Sequence, residues 1–169
     1  MKLDGTLIAA FGRQYEERTT TGEILLCVPR GKKSVFACGD RVKVGVTGPG
    51  QGVIDKLEER SSLLYRSDAW RQKLIAANAT QVVLVVATEP SFSDEFLSRC
   101  LCAAESQHLK TLIVLNKADI SAGLENSRAL LAPFAALGYP ILELSALGDV
   151  DALRERLVGE TSLLVGQSG

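Results

Sequence analysis

The sequence predicts two regions of different fold class, a small closed β-barrel followed by a parallel α/β sheet. Residues 1–66 contain short apolar segments separated by turns, and nine of the 15 glycines fall there. From residue 81 onward, apolar strand-like runs alternate with helical patterns. Evenly spaced strands with glycine turns are typical of a barrel, whereas strand–helix alternation is typical of a parallel sheet with right-handed crossovers. We therefore expect a barrel domain over 1–66, a connector over 67–80 and an α/β domain over 81–169.

The barrel region has the size of an oligonucleotide-binding (OB) fold, with five strands in about 60 residues. Its apolar segments include TLIAAF, EILLCVPR, SVFAC and DRVKVGV, with the glycine-rich turn TGPGQG before the last strand. Such barrels commonly bind nucleic acid on one face through basic loops. The candidate RNA contacts are Arg13, Arg18, Arg30, Lys32, Lys33, Arg41 and Lys43. The alternative for each of these residues is a charge that only keeps a small barrel soluble.

The charge of the chain is divided unevenly between the two regions. Residues 1–66 carry 11 Lys and Arg against 8 Asp and Glu, a net charge of +3, whereas residues 67–169 carry 8 against 12, a net charge of −4. This asymmetry indicates an anionic partner for the first region only.

The connector and the following elements are assigned from their apolar patterns. Residues 67–80, SDAWRQKLIAANAT, have neither strand alternation nor a full amphipathic helix. QVVLVVA at 81–87 is a continuous apolar run, typical of a buried parallel strand, and EFLSRCLCAAESQ after it has helical spacing. A second helix is expected from about Ser127 to Gly138, and a short third helix over VDALRERLVG follows the strand ILEL.

The strand TLIVL ends in Asn116, Lys117, Ala118 and Asp119, and this stretch is the strongest functional signal in the chain. Ligands bind at the carboxyl ends of strands in open α/β sheets. An ionised Asp accepts two hydrogen bonds, which fits the N1–H and exocyclic amino group of guanine. The Lys stem can lie along a base, and the Asn amide can hold the loop and reach a ring nitrogen. The sequence therefore predicts a guanine site here.

A second polar turn supports this prediction. The strand ILEL runs into Ser145, Ala146 and Leu147, one strand–helix–strand unit after the Asn-Lys-x-Asp motif. In guanine-nucleotide proteins such a Ser-Ala turn offers a backbone N–H to guanine O6. The spacing is expected to set the two loops side by side.

The last residues match the opening of a phosphate-binding loop. A strand at 162–165 runs into Gly166, Gln167, Ser168 and Gly169, which fits the start of Gly-x-x-x-x-Gly-Lys-Ser/Thr. Backbone N–H groups of such a loop hold nucleotide phosphates. The sequence stops inside this pattern, so we expect an incomplete phosphate site.

Other classes of protein are disfavoured by composition. Met1 leads into mixed polar sequence, and no apolar run approaches the roughly 18 residues of a membrane-spanning helix, so we expect a cytoplasmic protein without a membrane partner. The cysteines lack the spacing of a metal site, and we expect buried thiols and no bound metal. They are Cys27, Cys38, Cys100 and Cys102.

With a barrel, a guanine motif, a Ser-Ala turn and then a phosphate loop, the chain resembles the circularly permuted GTPases of the RsgA family, also called YjeQ or EngC. The resemblance extends over CGDRVKV, ERSSLLYR, LIAANATQVVLVVA, LIVLNKAD, LSAL and SLLVGQSG. It implies that residues 116–119 bind guanine, that Ser145 and Ala146 support it, and that residues 166–169 begin the phosphate loop. It also implies GTP or GDP with Mg²⁺ as ligands and a role in late maturation of the small ribosomal subunit through its rRNA.

The departures from the family pattern lie in the catalytic parts. The sequence lacks the phosphate-loop Lys and Ser/Thr, the switch regions with their Mg²⁺-binding Asp, and the carboxyl-terminal zinc domain. Phosphoryl transfer depends on the Lys and on Mg²⁺. We therefore expect GTPase activity in the longer protein, no catalytic residue in these 169 residues, and an uncovered strand at 162–165 that favours self-association.

Two other hypotheses remain open from the sequence. In one, the chain acts only as an rRNA-docking module through its barrel, without enzymatic activity. In the other, it is an ordinary nucleotide-binding or Rossmann-like protein in which Asn-Lys-x-Asp arose by chance.

Overall fold

The computed structural model describes residues 2–31, 35–67 and 72–167. The chain divides into two compact units, Met1–Asn78 and Ala79–Gly169. The strands of the first unit are β1 (Lys2–Phe11), β2 (Gln14–Thr19), β3 (Ile24–Pro29), β4 (Arg41–Gly48), β5 (Gln51–Leu57), β6 (Leu63–Ser67) and β7 (Gln72–Ala77).

Five of these strands form a closed barrel in the order β1-β2-β3-β5-β4. The barrel closes because β1 pairs antiparallel with both β2 and β4, while β3 and β5 pair in parallel. Closure leaves no unpaired edge in the barrel. The predicted OB-like barrel is confirmed.

Alternation along the strands builds the barrel core. In β2, for example, Tyr15, Glu17 and Thr19 are buried, whereas the residues between them face outward. The Tyr15 ring also meets Phe36 edge to face, with ring centroids 5.6 Å apart. The buried apolar residues of the core are Leu7, Tyr15, Leu25, Cys27, Val42, Val44 and Ile54.

Glu17 is a buried carboxyl group in the barrel wall. Its side chain is 0% exposed, and neither carboxylate oxygen has a hydrogen-bond partner. Space for it exists because Gly5 of β1 has no side chain: a Cβ atom there would lie 1.4 Å from Glu17 Oε1. Burial, followed by the nearby charge of Glu23, raises the pKa of Glu17 above its ordinary value.

A charged pair braces the segment before β4. The buried Asp40 carboxylate accepts hydrogen bonds from the Ala37 backbone N–H at 2.8 Å and from Arg60 Nε at 2.7 Å. The hydrogen bond to Asp40 raises the pKa of Arg60. A buried carboxylate is tolerated here because each oxygen has a donor.

Residues 67–80 differ from the irregular connector predicted from the sequence. Gln72–Ala77 form β7, which pairs antiparallel with β6. The Ala77 N–H also donates to Cys38 O at 2.8 Å, which attaches this hairpin to the segment before β4. The apolar–polar alternation expected of a strand did not indicate β7, because the apolar residue Ile75 is 41% exposed.

The second unit contains the predicted parallel sheet, and its strands lie in the order β10-β9-β8-β11. None of the helices in the described ranges is long and apolar enough to cross a membrane. The elements are β8 (Gln81–Ala87), α1 (Asp94–Glu105), β9 (Lys110–Asn116), α2 (Leu124–Ala136), β10 (Ile141–Glu143), α3 (Asp151–Leu157) and β11 (Ser162–Gly166).

The central strands β8 and β9 carry the core of this unit. Val83, Leu112 and Val114 form a buried cluster, against which Leu153 and Leu157 of α3 pack. Helix α1 contacts β8 and β9 and buries its own apolar side chains. Apolar burial at about 25 cal/mol per Å² is the main stabilisation of such a layered sheet.

One sequence prediction is wrong in this unit and another is partly wrong across the chain. Helix α2 begins at Leu124 rather than near Ser127, because Gly123, with φ of 80°, forms the N-cap without a side-chain bond. Ser127 is instead buried inside the helix. Of the cysteines expected to be buried, Cys27 is buried, with a pKa that burial raises to about 11, whereas Cys102 is exposed. Cys38 and Cys100 are half-buried.

We expect Glu17→Gln to remove a pH dependence of stability. Because the folded-state pKa of Glu17 is raised, its contribution is fully present below the ordinary pKa and is lost as the pH rises through the raised value. The variant should therefore gain stability relative to the wild type as the pH rises from 4 to 8. Thermal unfolding at both pH values measures this, with Glu16→Gln on the same strand as the control. Identical pH profiles for wild type and Glu17→Gln would contradict it.

Candidate functional site

The strand register brings the predicted site residues to one edge of the sheet. Strands β8 and β9 pair without a break up to Ala87 opposite Asn116, and β10 ends with Glu143 opposite Leu115. On the other side of β8, the last pair of β11 is Gly166 with Val85. The carboxyl ends of four parallel strands therefore meet at one edge, where α/β proteins bind ligands.

Asn116 joins the two predicted guanine loops. Its Oδ1 atom accepts a hydrogen bond from the Lys117 backbone N–H at 2.8 Å and another from the Ala146 N–H at 2.9 Å. One side-chain oxygen thus holds both the Asn-Lys-x-Asp turn and the Ser-Ala turn. The amide nitrogen, Nδ2, makes no hydrogen bond among the described residues and is left as a donor.

Lys117 has an unusual backbone and an anchored side chain. Its φ is 58°, in the left-handed region that is uncommon for residues other than glycine. Its Nζ atom donates to Glu89 O at 2.6 Å, and its carbonyl accepts from Thr88 Oγ1 at 3.1 Å and from Ile120 N at 3.0 Å. The side chain is exposed, so its methylene stem is accessible to a planar ligand.

Asp119 offers a carboxylate to solvent. It is exposed and has no hydrogen bond or ion pair in the part of the chain that the structure describes. The turn that carries it is tied to β10 by Ala118, whose N–H donates to Leu144 O at 3.0 Å. Asp119 is therefore a free acceptor of two donors on an anchored turn.

The Ser-Ala turn is folded on itself. Ser145 O accepts from the Gly148 N–H at 2.9 Å, and Ser145 Oγ accepts a long bond of 3.4 Å from the Leu147 N–H. From the sequence, a backbone N–H of this turn is expected to bind guanine O6, and in the structure the Ala146 N–H is bonded to Asn116 Oδ1. A ligand oxygen would have to share or replace that bond.

The start of the predicted phosphate loop contacts α1. Gly166 ends β11, and Gln167 Oε1 accepts a hydrogen bond from the Ser93 N–H at 3.2 Å. Ser93 is the N-cap of α1, and its Oγ accepts from Phe96 N at 3.4 Å. Ser168 and Gly169, the other two predicted phosphate-loop residues, lie outside the described residues.

A pocket of about 320 Å³ lies among these strand ends. It brings together part of the predicted site, namely Asn116, Lys117, Gly166 and Gln167. Asp119, Ser145 and Ala146 do not line it. Its remaining lining is apolar: Val85, Val86, Ala87, Pro90 and Phe92.

Three of the predicted RNA contacts on the barrel already have partners. Arg30 Nε donates to Asp55 at 2.8 Å, and Arg13 donates to the Gly31 carbonyl at 3.2 Å. Lys43 Nζ donates to Asp4 at 3.0 Å, and this bond raises the pKa of Lys43. Lys32 and Lys33 lie outside the described residues.

Arg18 and Arg41 remain as exposed cations with no side-chain partner in the described ranges. They lie in one row across the barrel, because Thr6 of β1 is paired with Arg18 of β2 on one side and with Arg41 of β4 on the other. Directly opposed residues share a face of a sheet. The two guanidinium groups therefore flank Thr6 on the outer surface.

Two residues that contact the predicted guanine motif, Thr88 and Glu89, were not predicted from the sequence. Both follow β8 and hold Lys117. The sequence did contain an indication, because Thr88 is the first polar residue after the apolar run QVVLVVA. In the structure, β8 lies next to β9. Recognising it required the register of the two strands.

A protein-family model described as RsgA GTPase matches residues 57–169. The chain belongs to the RsgA GTPase family. The match includes both predicted guanine loops and the predicted start of a phosphate loop.

Curated relatives of this family align over nearly the whole chain. The chain is 52% identical over 167 residues to the small ribosomal subunit biogenesis GTPase RsgA of Nitrosospira multiformis, covering 99% of this chain and 53% of that protein. It is 49% identical over 173 residues to the protein of the same name from Burkholderia pseudomallei, covering 99% and 55%. The chain spans about half the length of the curated relatives it matches.

Solved structures of RsgA-family proteins share the fold. YjeQ from Thermotoga maritima superposes with a TM-score of 0.75 at 30% identity, covering 100% of this chain and 62% of that one. YloQ, described as a circularly permuted GTPase, gives 0.68 at 23% identity, covering 100% and 61%. The barrel followed by a permuted parallel sheet is therefore the fold of this family.

We expect Asn116→Ala to loosen both loops together. The variant removes the shared acceptor, so the N–H groups of Lys117 and Ala146 should exchange with solvent faster, with a loss of stability of about 1 kcal/mol. Amide hydrogen exchange by NMR measures the two sites separately. The control is Asn126→Ala, an exposed α2 residue whose side chain has no bond in the described residues. Faster exchange at Lys117 alone would contradict the shared role.

Proposed function

We propose that the second unit recognises the base of a guanine nucleotide. The observation that carries the proposal is the pair of hydrogen bonds at Asn116 Oδ1, which holds the Asn-Lys-x-Asp turn beside the Ser-Ala turn. Both turns follow neighbouring parallel strands of the sheet. Membership of the RsgA GTPase family supports the same function.

Each polar group has a partner on guanine in this proposal. The Asp119 carboxylate accepts from N1–H and the exocyclic amino group, which adenine does not present in this arrangement. Asn116 Nδ2 donates to a ring nitrogen, and the Lys117 stem lies along the base. Ala118 anchors the turn, Ser145 and Ala146 support the O6 side, and residues 166–169 begin the phosphate site.

We further propose that the longer protein is a GTPase of small ribosomal subunit biogenesis. The relatives carry that name, and this chain matches about half of their length. The 169 residues contain no complete Gly-x-x-x-x-Gly-Lys-Ser/Thr motif, so GTP hydrolysis with Mg²⁺ requires residues outside them. In this proposal a zinc domain also lies outside them, and the ribosomal partner implies action in the cytoplasm.

A second proposed role is docking on small-subunit rRNA through the barrel. Arg18 and Arg41 support it, because both are exposed, unpaired within the described ranges and aligned in one cross-strand row. Guanidinium groups bind phosphate oxygens through charge-assisted hydrogen bonds. Arg13, Arg30 and Lys43 would have to exchange their present partners for phosphate, so they are weaker candidates.

Self-association through β11 is a further proposal for the isolated chain. In the described residues β11 pairs only with β8, and its Leu164 side chain is 55% exposed. A strand with a free edge and an exposed apolar side chain favours pairing with a second copy.

We expect Asp119→Asn to shift nucleotide preference from guanine to xanthine. An Asn amide offers one donor and one acceptor, which match the C2 carbonyl and N1–H of xanthine. GDP affinity should fall about 10- to 100-fold while XDP affinity rises. NMR titration of the chain with each nucleotide measures both. Asp149→Asn, with the same charge change in the neighbouring turn, should keep the wild-type preference. No gain for XDP would contradict the assignment of Asp119.

We expect the double variant Arg18→Glu and Arg41→Glu to weaken rRNA binding at every sequence tested. Each lost phosphate contact should reduce the slope of log K against log salt by about 0.7 to 0.9. Filter binding of a small-subunit rRNA transcript at several salt concentrations measures this. Arg99→Glu, an exposed α1 residue of the second unit, is the charge control. A slope equal to that of the control would contradict RNA docking by this row.

A further inference from the structure

Thr88 is a buried polar residue directly below the guanine turn. It is the first residue after β8, and its side chain is 3% exposed. Its backbone N–H donates to Asn116 O at 3.3 Å, and its Oγ1 donates to Lys117 O at 3.1 Å. Both bonds go to the residues at which β9 changes from strand to turn.

The bond to Lys117 stabilises a strained backbone. A left-handed conformation costs a residue other than glycine about 1 to 2 kcal/mol, and Lys117 has φ of 58°. Its carbonyl has two donors, Thr88 Oγ1 and the Ile120 N–H. The Ile120 bond lies within the turn itself, so Thr88 supplies the bond from the body of the sheet.

The Thr88 carbonyl also lies near the far end of the same loop. A Cβ atom on Gly123, the N-cap of α2, would lie 3.4 Å from Thr88 O. The loop that carries Asp119 therefore leaves the sheet at a residue bonded to Thr88 and enters α2 at a glycine close to the Thr88 carbonyl. The position of the Asp119 carboxylate depends on both ends.

We propose that Thr88 is a positioning residue that sets the discrimination of Asp119 between guanine and hypoxanthine. The proposal rests on the proposed guanine site. Thr88 touches no ligand; it acts through the left-handed turn at Lys117. Hypoxanthine lacks the exocyclic amino group, so only a correctly placed carboxylate distinguishes the two bases.

Two substitutions at Thr88 test the role of the hydroxyl. Thr88→Val keeps the shape of the side chain and removes the donor, whereas Thr88→Ser keeps the donor. NMR titration of the full chain with GDP and with IDP gives the ratio of the two affinities. Wild type and Thr88→Ser should prefer GDP, and Thr88→Val should reduce this preference about fivefold with little change for IDP.

Thr111→Val is the matched control, because it is the same chemical change on β9 at a side chain without a bond in the described residues. It should leave the GDP to IDP ratio unchanged. If Thr88 had only a structural role, Thr88→Val would bind GDP and IDP more weakly by the same factor, and the ratio of the two affinities would not change. A preference for GDP that survives intact in Thr88→Val would overturn the inference.

A measurement without nucleotide separates this inference from the proposed function. Amide exchange at Ile120 should be several-fold faster in Thr88→Val than in wild type, because the turn at Lys117, whose carbonyl accepts the Ile120 N–H, loses its bond to the body of the sheet and opens more often. Unchanged exchange would overturn the role of Thr88. If the wild type binds GDP and IDP with equal affinity while amide exchange is faster in the variant, the proposed guanine site is wrong. The stabilisation of the Lys117 turn by Thr88 would still be supported by the exchange result.

Discussion

The parallel register between β8 and β9 is the constraint on which the candidate site depends. The two strands pair in step from Gln81 with Lys110 to Ala87 with Asn116, so they leave the sheet at the same level. Their interiors are almost entirely buried, and polar side chains can therefore begin only beyond that level. A shift of the register would separate Thr88 from Lys117 and remove the support of the turn.

The two loops of the site share a single acceptor atom. Because Asn116 Oδ1 binds the N–H groups of Lys117 and Ala146, the order of one loop is coupled to the order of the other. A ligand that draws the Ala146 N–H toward itself also changes the bonding of the Asn-Lys-x-Asp turn. Base recognition in such a site is a property of both turns together rather than of separate contacts.

Features with a period or a motif could be predicted from the sequence. The barrel, the parallel sheet and the grouping of Asn116 with Ala146 follow from alternation, strand–helix order and loop spacing. Features set by the backbone or by register could not. Gly123 caps α2 through its positive φ, which no side-chain rule detects. The role of Thr88 can be recognised only when β8 is aligned with β9. The strand β7 was not predicted because its exposed residue Ile75 is apolar, which breaks the expected alternation.

The carboxyl group of Glu17 and the missing side chain of Gly5 occupy one shared volume in the barrel wall. An atom added at Gly5 would overlap Glu17 Oε1, so Gly5 cannot become larger while Glu17 keeps its place. In related barrels, we expect a residue larger than glycine at the position of Gly5 to occur together with a side chain shorter than glutamate at the position of Glu17. We therefore expect the two positions to change together, although they are twelve positions apart in the chain.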